Sequence, residues 1–266
     1  MKLQGKVAIV TGTSPNIGGG IAGGLADEGA TVVCVDTVAD NALQCAAWIT
    51  KRGGHALGIV GDTTDEAQVA AMVARACEAY GGVDILVNNA GILGGESVLE
   101  MPLERWNRQI AVNLTGTFLC TKHVARAMVE GKRGGSIINI ASTAAHQGQP
   151  GNIGYCTSKS GLLNFTRAAA MDLVKHKIRV NSLTPTATDV AESHERAVEW
   201  GRPRPEPRGR LLDFAKMIPT GTLPSPRHYA RAAVFLASDD AEMITGFDLR
   251  VDAGAIAKYW PWTPNA

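Results

Sequence analysis

Short apolar runs alternate with longer amphipathic ones along almost the whole chain, and no other feature constrains the fold as strongly. Strand-like runs cover Lys6 to Thr11, Thr31 to Asp36, His55 to Gly61, Val83 to Asn88, Ser136 to Ile140, Arg179 to Leu183 and Phe247 to Val251. Helical patterns fill the intervals: Ile17 to Glu28, Asn41 to Arg52, Asp65 to Tyr80, Pro102 to Val112, Gly116 to Glu130, a stretch opening near Tyr155, and Pro226 to Ala237. Strands joined by helices of this length call for a parallel sheet buried on both faces, an α/β architecture of about seven strands. No repeat or break in composition marks a second compact domain, so residues 1–266 are expected to form one.

Composition narrows the function. With 45% hydrophobic residues the chain can bury a large core, and a net charge of +1 gives no electrostatic case for nucleic acid or a membrane surface. The five cysteines are scattered without paired spacing, which reads as reduced thiols in a cytoplasmic protein. Lys2 and Lys6 lead straight into a strand, without the pattern of a secretory signal, and no run is long enough to span a membrane. The six histidines show no metal-ligand spacing, and no metal is expected.

The first strand–helix junction reads Thr11-Gly12-Thr13-Ser14-Pro15-Asn16-Ile17-Gly18. Gly12 permits a tight turn, Gly18 allows close helix–strand packing, and the free amides of the helix start would face an anionic pyrophosphate. Such a turn is shared by several nucleotide-binding folds. Asp36, closing the second strand, adds a carboxylate able to accept hydrogen bonds from both ribose hydroxyls and to repel a 2′-phosphate. Thr37 brings no positive charge, so NAD is favoured over NADP; an aspartate that merely ends a strand at the surface is the alternative.

A second constellation lies between Ser142 and Lys159. Tyr155 titrates near pH 10 as a free side chain, a poor base at neutral pH, but Lys159 four residues on shares its helix face and favours the phenolate. Ser142 follows the strand ending at Ile140, where its hydroxyl can meet the same substrate oxygen as Tyr155. Alone, a Tyr-x-x-x-Lys spacing is equally compatible with a core tyrosine and a surface lysine.

Taken together, these motifs closely resemble the short-chain dehydrogenase/reductase family in its single-domain form, over residues 3–254. The resemblance implies a Rossmann-type doubly wound sheet, a homotetramer paired through the helices near Gly116 to Glu130 and Tyr155 to Lys175, and a catalytic tetrad of Asn113, Ser142, Tyr155 and Lys159. It implies cofactor contacts at Gly12, Ser14, Asn16, Ile17 and Gly18 of the first turn, at Asp36, and at Asp62 and Thr63 beside the adenine. Asn88-Asn89-Ala90-Gly91 matches the family's Asn-Asn-Ala-Gly motif, adding Asn89, Ala90 and Gly91; Tyr155, Lys159, Pro185 and Thr188 belong to the nicotinamide end. Asn113 is further expected to bend its helix and hold a water beside the lysine. Two departures stand out. Asn16 replaces a glycine, and since asparagine tolerates positive φ the turn is expected to keep its shape. Pro185-Thr186 replaces the usual Pro-Gly.

Substrate contacts are expected from Ser142, Ala144, Gln149 and Tyr155, with Gly94 and Gly95 nearby. Residues 190–226, rich in proline and arginine, read as a substrate lid or a solvated loop. The aromatic tail (255–266, with Tyr259-Trp260-Pro261-Trp262) would cover a pocket or dock at a subunit interface. His146 is expected to be a solvated loop residue. The implied reaction is interconversion of a secondary alcohol and a ketone by direct hydride transfer with NAD, Tyr155 acting as acid/base. A moderately apolar secondary alcohol leads as substrate, a 3-oxoacyl thioester follows, and a sugar-like polyol comes third. A non-catalytic NAD-sensing protein is the rival from another class.

Overall fold

The computed structural model describes residues 1–203 and 214–258; the aromatic residues 259–262 and the middle of the expected lid lie outside that range. Seven parallel strands form one sheet in the order β3-β2-β1-β4-β5-β6-β7. They are β1 (Val7–Thr11), β2 (Thr31–Asp36), β3 (His55–Val60), β4 (Ile85–Asn88), β5 (Gly135–Ile140), β6 (Ile178–Pro185) and β7 (Asp248–Val251). The order reverses between β1 and β4, which opens a crevice at the carboxyl ends of the strands there. This is a Rossmann-type doubly wound sheet.

Period-two side-chain alternation sends each strand's residues to two separate cores. Ala8 and Val10, Val32 and Cys34, Ile85 and Val87, Ile138 and Ile140 face one side, against helices α1 (Ile17–Asp27), α2 (Ala39–Lys51) and the helix Pro226–Ala237. Ile9, Val33, Leu86 and Ile137 face the other, against α3 (Glu66–Tyr80), the helix Gly116–Glu130 and the helix Ile153–Leu173. Asp65 caps α3, its carboxylate accepting from the amides of Ala67 and Gln68, and Gly81 ends that helix at φ 78°. Gly20 and Gly24, a turn apart on α1, let Pro226 and Ala230 pack against its backbone. An added Cβ would come within 2.6 and 2.7 Å of their side chains.

The two helical stretches expected between Pro102 and Glu130 are joined end to end, with Asn113 in the turn between them. Helix α4 (Leu103–Ile110) runs through a π-helical turn, Ala111–Thr115, directly into α5 (Gly116–Glu130). The remaining helices are α6 (Ile153–Leu173), α7 (Ala191–Glu199) and α8 (Pro226–Ala237). Among the described residues no helix is long and apolar enough to cross a membrane.

Candidate active site

A cleft of about 420 Å³ lies over the carboxyl ends of β1, β2, β4 and β5. Its floor is the turn between β1 and α1. Gly12 adopts φ 70°, and a Cβ there would stand 2.8 Å from the Ala90 Cα; a Cβ on Gly18 would stand 2.0 Å from the Gly12 carbonyl oxygen. Both positions exclude any side chain, so the turn presents bare main chain to the cleft. No side chain caps the start of α1; the Gly19 and Gly20 amides donate to the carbonyls of Ser14 (2.8 Å) and Asn16 (3.0 Å), which leaves those of Ile17 and Gly18 to face an anion. The motif after β4 holds this turn in place. The Asn89 amide donates to the carbonyl oxygens of Thr11 (3.1 Å) and Gly12 (2.8 Å), while the Thr11 hydroxyl accepts from the amides of Asn89 and Ala90.

Ser14, Asn16 and Ile17 line the cleft together with Gly12 and Gly18. Asn16, however, has φ −84°, so its left-handed tolerance is not used here. Its side chain instead accepts a hydrogen bond from Ser193 at 2.9 Å, a long-range contact that local conformational preference cannot reveal.

At the second strand's end, the Asp36 carboxylate reaches the cleft edge beside Thr37 and accepts from the Val38 amide at 2.9 Å. Asp62 and Thr63 line the same end. Burial opposes ionisation of Asp62, but hydrogen bonds from the Thr64 amide and hydroxyl, aided by Arg108, hold its carboxyl below the ordinary value. Arg108, on α4, also lines the cleft, 3.7 Å from Asp62 and 3.4 Å from the Thr64 hydroxyl. Nothing in its sequence spacing marks it out.

At the opposite end, Gly91, Tyr155, Lys159 and Pro185 line the cleft. Lys159 is 4% exposed and donates to the Ile140 carbonyl oxygen at 2.7 Å; its Nζ lies 5.8 Å from the centre of the Tyr155 ring. Burial brings its ammonium down to about 8. Burial also raises the Tyr155 phenol; a hydrogen bond with Ser142 acts the other way, and neighbouring Cys156 adds to the rise. Ser142 is buried at the head of a short turn, its hydroxyl accepting from the Ala144 amide at 3.1 Å.

Asn113, fully buried in the π-helical turn, clamps two elements of the site. Its Oδ1 accepts from the Ile92 amide (2.8 Å), and its Nδ2 donates to the Ile92 carbonyl and the Ser158 hydroxyl, both at 3.0 Å. Ser158 in turn donates to the Tyr155 carbonyl oxygen (2.9 Å), so the loop after β4 and helix α6 are fixed to each other.

Of the expected site residues, Asn113, Ser142, Ala144, Gln149 and Thr188 do not line the cleft itself. The Thr188 hydroxyl lies 3.3 Å from both the Thr186 carbonyl and the Tyr229 hydroxyl, drawn inward by a buried tyrosine of α8. The buried Thr186 hydroxyl, likewise outside the lining, has no hydrogen-bond partner. Ala144 is buried beneath Ser142, and Gln149 is exposed, accepting from Asn152. His146 is exposed, as expected of a solvated residue, and its Nε2 lies 3.1 Å from Asp248 Oδ2 on β7.

The chain is similar to known proteins over nearly its whole length. The family model described as enoyl-(acyl carrier protein) reductase, of the short-chain dehydrogenase type, matches residues 12–255. D-threitol dehydrogenase of Mycolicibacterium smegmatis is 38% identical over 257 residues, covering 97% of this chain and 95% of that protein. Galactitol 2-dehydrogenase of Agrobacterium fabrum is 37% identical over 259 residues, covering 96% and 98%. A crystal structure of a short-chain type dehydrogenase/reductase from Mycobacterium marinum superposes with a TM-score of 0.84 at 34% identity, covering 97% of each chain. The chain belongs to the short-chain dehydrogenase/reductase family.

Proposed function

We propose that the protein is an NAD-dependent dehydrogenase of secondary alcohols, with Tyr155 as acid/base and a polyol as substrate. The observation that carries this reading is the meeting of Tyr155 and Lys159, with Ser142 hydrogen-bonded to the phenol behind them, at one end of a cleft whose other end is bare main chain and Asp36. The family acts on alcohols with nicotinamide cofactors, NAD or NADP, and the residues present fit such a group. When bound, the nicotinamide accepts or returns a hydride at the carbinol carbon. Gly12, Gly18 and the start of α1 would hold the pyrophosphate, Asp36 the adenosine ribose, and Asp62 and Thr63 the adenine side.

In the oxidative direction Tyr155 takes the proton of the alcohol at its phenolic oxygen. Lys159 is protonated at neutral pH, and its charge near the ring favours the phenolate that burial alone disfavours. Ser142 donates to the substrate oxygen as its charge changes. Asn113 keeps Tyr155 and the Ile92 loop in register.

Two observations favour NAD. Asp36 presents a carboxylate where a 2′-phosphate would sit, and the cations lining the cleft are elsewhere engaged: Arg108 beside Asp62, Lys159 at the tyrosine. A preference for NAD over NADP of about a hundredfold in kcat/KM is expected, since charge-assisted hydrogen bonds contribute about 1.5–3 kcal/mol each. Relatives whose names specify threitol and galactitol bring a polyol ahead of the more apolar alcohol. The four-residue Tyr–Lys spacing speaks against enoyl reduction, and a 3-oxoacyl thioester remains the second substrate class to assay. A homotetramer paired through α5 and α6 would cover Phe118 and Met171, apolar side chains that are 46% and 63% exposed in the single chain. The deciding assay follows cofactor reduction with NAD and NADP across a panel of polyols, simple secondary alcohols and 3-hydroxyacyl thioesters. Reduction of NAD by polyols is expected; activity confined to NADP, or to thioesters, would overturn the corresponding part.

A further inference from the structure

Helix α7, in the segment read from sequence as a lid, lays two side chains on the turn between β1 and α1. Ser193, 7% exposed, donates to Asn16 Oδ1 at 2.9 Å. The Arg196 guanidinium donates through Nη1 to the Pro15 carbonyl oxygen and, at 3.4 Å, to that of Asn16. Gly19 follows directly, and there a Cβ would stand 2.5 Å from the Ser14 carbonyl oxygen and 3.3 Å from the Trp200 ring of the same arm. The arm is also anchored to α2. Trp48 donates to Glu199 at 2.6 Å and lies 5.1 Å from the Arg196 guanidinium, while Arg202 donates to Asp40 and, at 2.8 Å, to Asn41.

All peptide bonds here are trans, so each unit points its carbonyl and its N–H in opposite directions. The Pro15 carbonyl shares a peptide unit with the Asn16 N–H, and the Asn16 carbonyl with the Ile17 N–H. Arg196 holds the Pro15 carbonyl on the α7 side and adds to the hold on the Asn16 carbonyl, which also accepts from the Gly20 amide at 3.0 Å; both N–H groups therefore turn away from Arg196, and Asn16 and Ile17 are cleft-lining residues. We infer that Arg196 and Ser193 are positioning residues for the dinucleotide, which brace the Pro15–Asn16 turn from behind so that its amides face the pyrophosphate. The inference rests on the dinucleotide reading of the cleft. It also gives Asn16 a use that glycine cannot supply, since only a side chain there can receive Ser193. By linkage, a cofactor that favours the braced turn must equally favour docked α7.

NADH fluorescence titration of the full-length protein tests this, with hydrogen exchange over 191–199 as a second readout. Arg196→Ala is expected to raise the NADH Kd by about tenfold, and Arg196→Lys to recover part of the loss. Ser193→Ala and Asn16→Gly should each raise it by about threefold, and the double variant no further, because they remove one shared bond. For the Arg196 and Ser193 variants kcat at saturating NAD and its pH profile should stay as in the wild type. NADH should protect 191–199 from exchange in the wild type and fail to do so in Arg196→Ala. An unchanged Kd in a folded Arg196→Ala, or a loss in kcat without one in Kd, would overturn the brace. Should Arg196→Ala fail to fold, Arg196→Lys and the Ser193/Asn16 cycle decide by the same criterion. Failure of the wild type to bind either NADH or NADPH would instead overturn the cofactor reading, and the brace with it.

Discussion

The two ends of the cleft are built from opposite materials. At the β1–α1 turn the working surface is main chain, and Gly12 and Gly18 matter because any side chain would collide with backbone. At the corner between β5 and α6 the working surface is side chain: Tyr155 and Lys159, whose burial shifts their proton affinities, with Ser142 hydrogen-bonded to the phenol. Holding a charged, chemically inert pyrophosphate needs oriented amides and room. Moving a proton needs titratable groups whose surroundings set them away from their ordinary values. Adding atoms should therefore break the first end, and removing atoms the second.

The largest effect is expected from removing a single oxygen. Tyr155→Phe keeps the ring's packing but deletes the acid/base, so kcat should fall by about a thousandfold or more while NADH still binds, as steady-state kinetics and titration together would register. Adding one methyl at Gly18 should act the other way round. Gly18→Ala sets a Cβ 2.0 Å from the Gly12 carbonyl oxygen, so cofactor affinity should fall by about a hundredfold and stability by about 1–3 kcal/mol, measured by titration and thermal melts. Asp36→Ala should reduce the NAD/NADP ratio of kcat/KM by about tenfold, chiefly by weakening NAD. If both cofactors lose equally, Asp36 does not read the ribose.

The smallest effect concerns stability against pH. Lys159 holds its proton to about 8 in the folded protein against about 10.4 when unfolded, so between those values the unfolded chain binds more protons. The Lys159 contribution to stability should therefore rise as pH increases from 8 to 10, by no more than about 3 kcal/mol, read as the difference between wild type and Lys159→Met, because the Cys34 thiol (raised by its hydrogen bond with Cys45 and by burial) and the Cys120 thiol (raised by burial) act with the opposite sign in both proteins. Above pH 10 the raised Tyr155 pKa works against the rise, since the unfolded tyrosine then ionises first. Denaturant titrations across that range check both signs.

Much of this was legible in the sequence because it is local. The period-two alternation that separates Ala8 and Val10 from Ile9 is written in adjacent residues, and so is the spacing that sets Lys159 one turn beyond Tyr155. What could not be read depends on residues far apart in the chain. Thr188 turns inward because Tyr229 waits there, and His146 is captured by Asp248, 102 residues later. Asn16 read as a conformational substitute for glycine, whereas its partner, Ser193, lies 177 residues away. The continuity of α4 into α5 was hidden for another reason: Asn113 and Thr115 disfavour a helix by propensity, yet a π-helical turn absorbs them because burial of the Asn113 amide against Ile92 and Ser158 outweighs that preference.

The central claim is that Tyr155 and a nicotinamide bound over the bare turn jointly convert a secondary alcohol to a ketone. Its most direct test uses a polyol such as D-threitol or galactitol carrying deuterium on its secondary carbinol carbons, incubated with the protein and NAD. The account predicts that reduced cofactor accumulates, that mass spectrometry finds one deuterium on its nicotinamide ring, and that Tyr155→Phe produces none above background. Reduced cofactor without deuterium, or equal transfer by Tyr155→Phe, would contradict it.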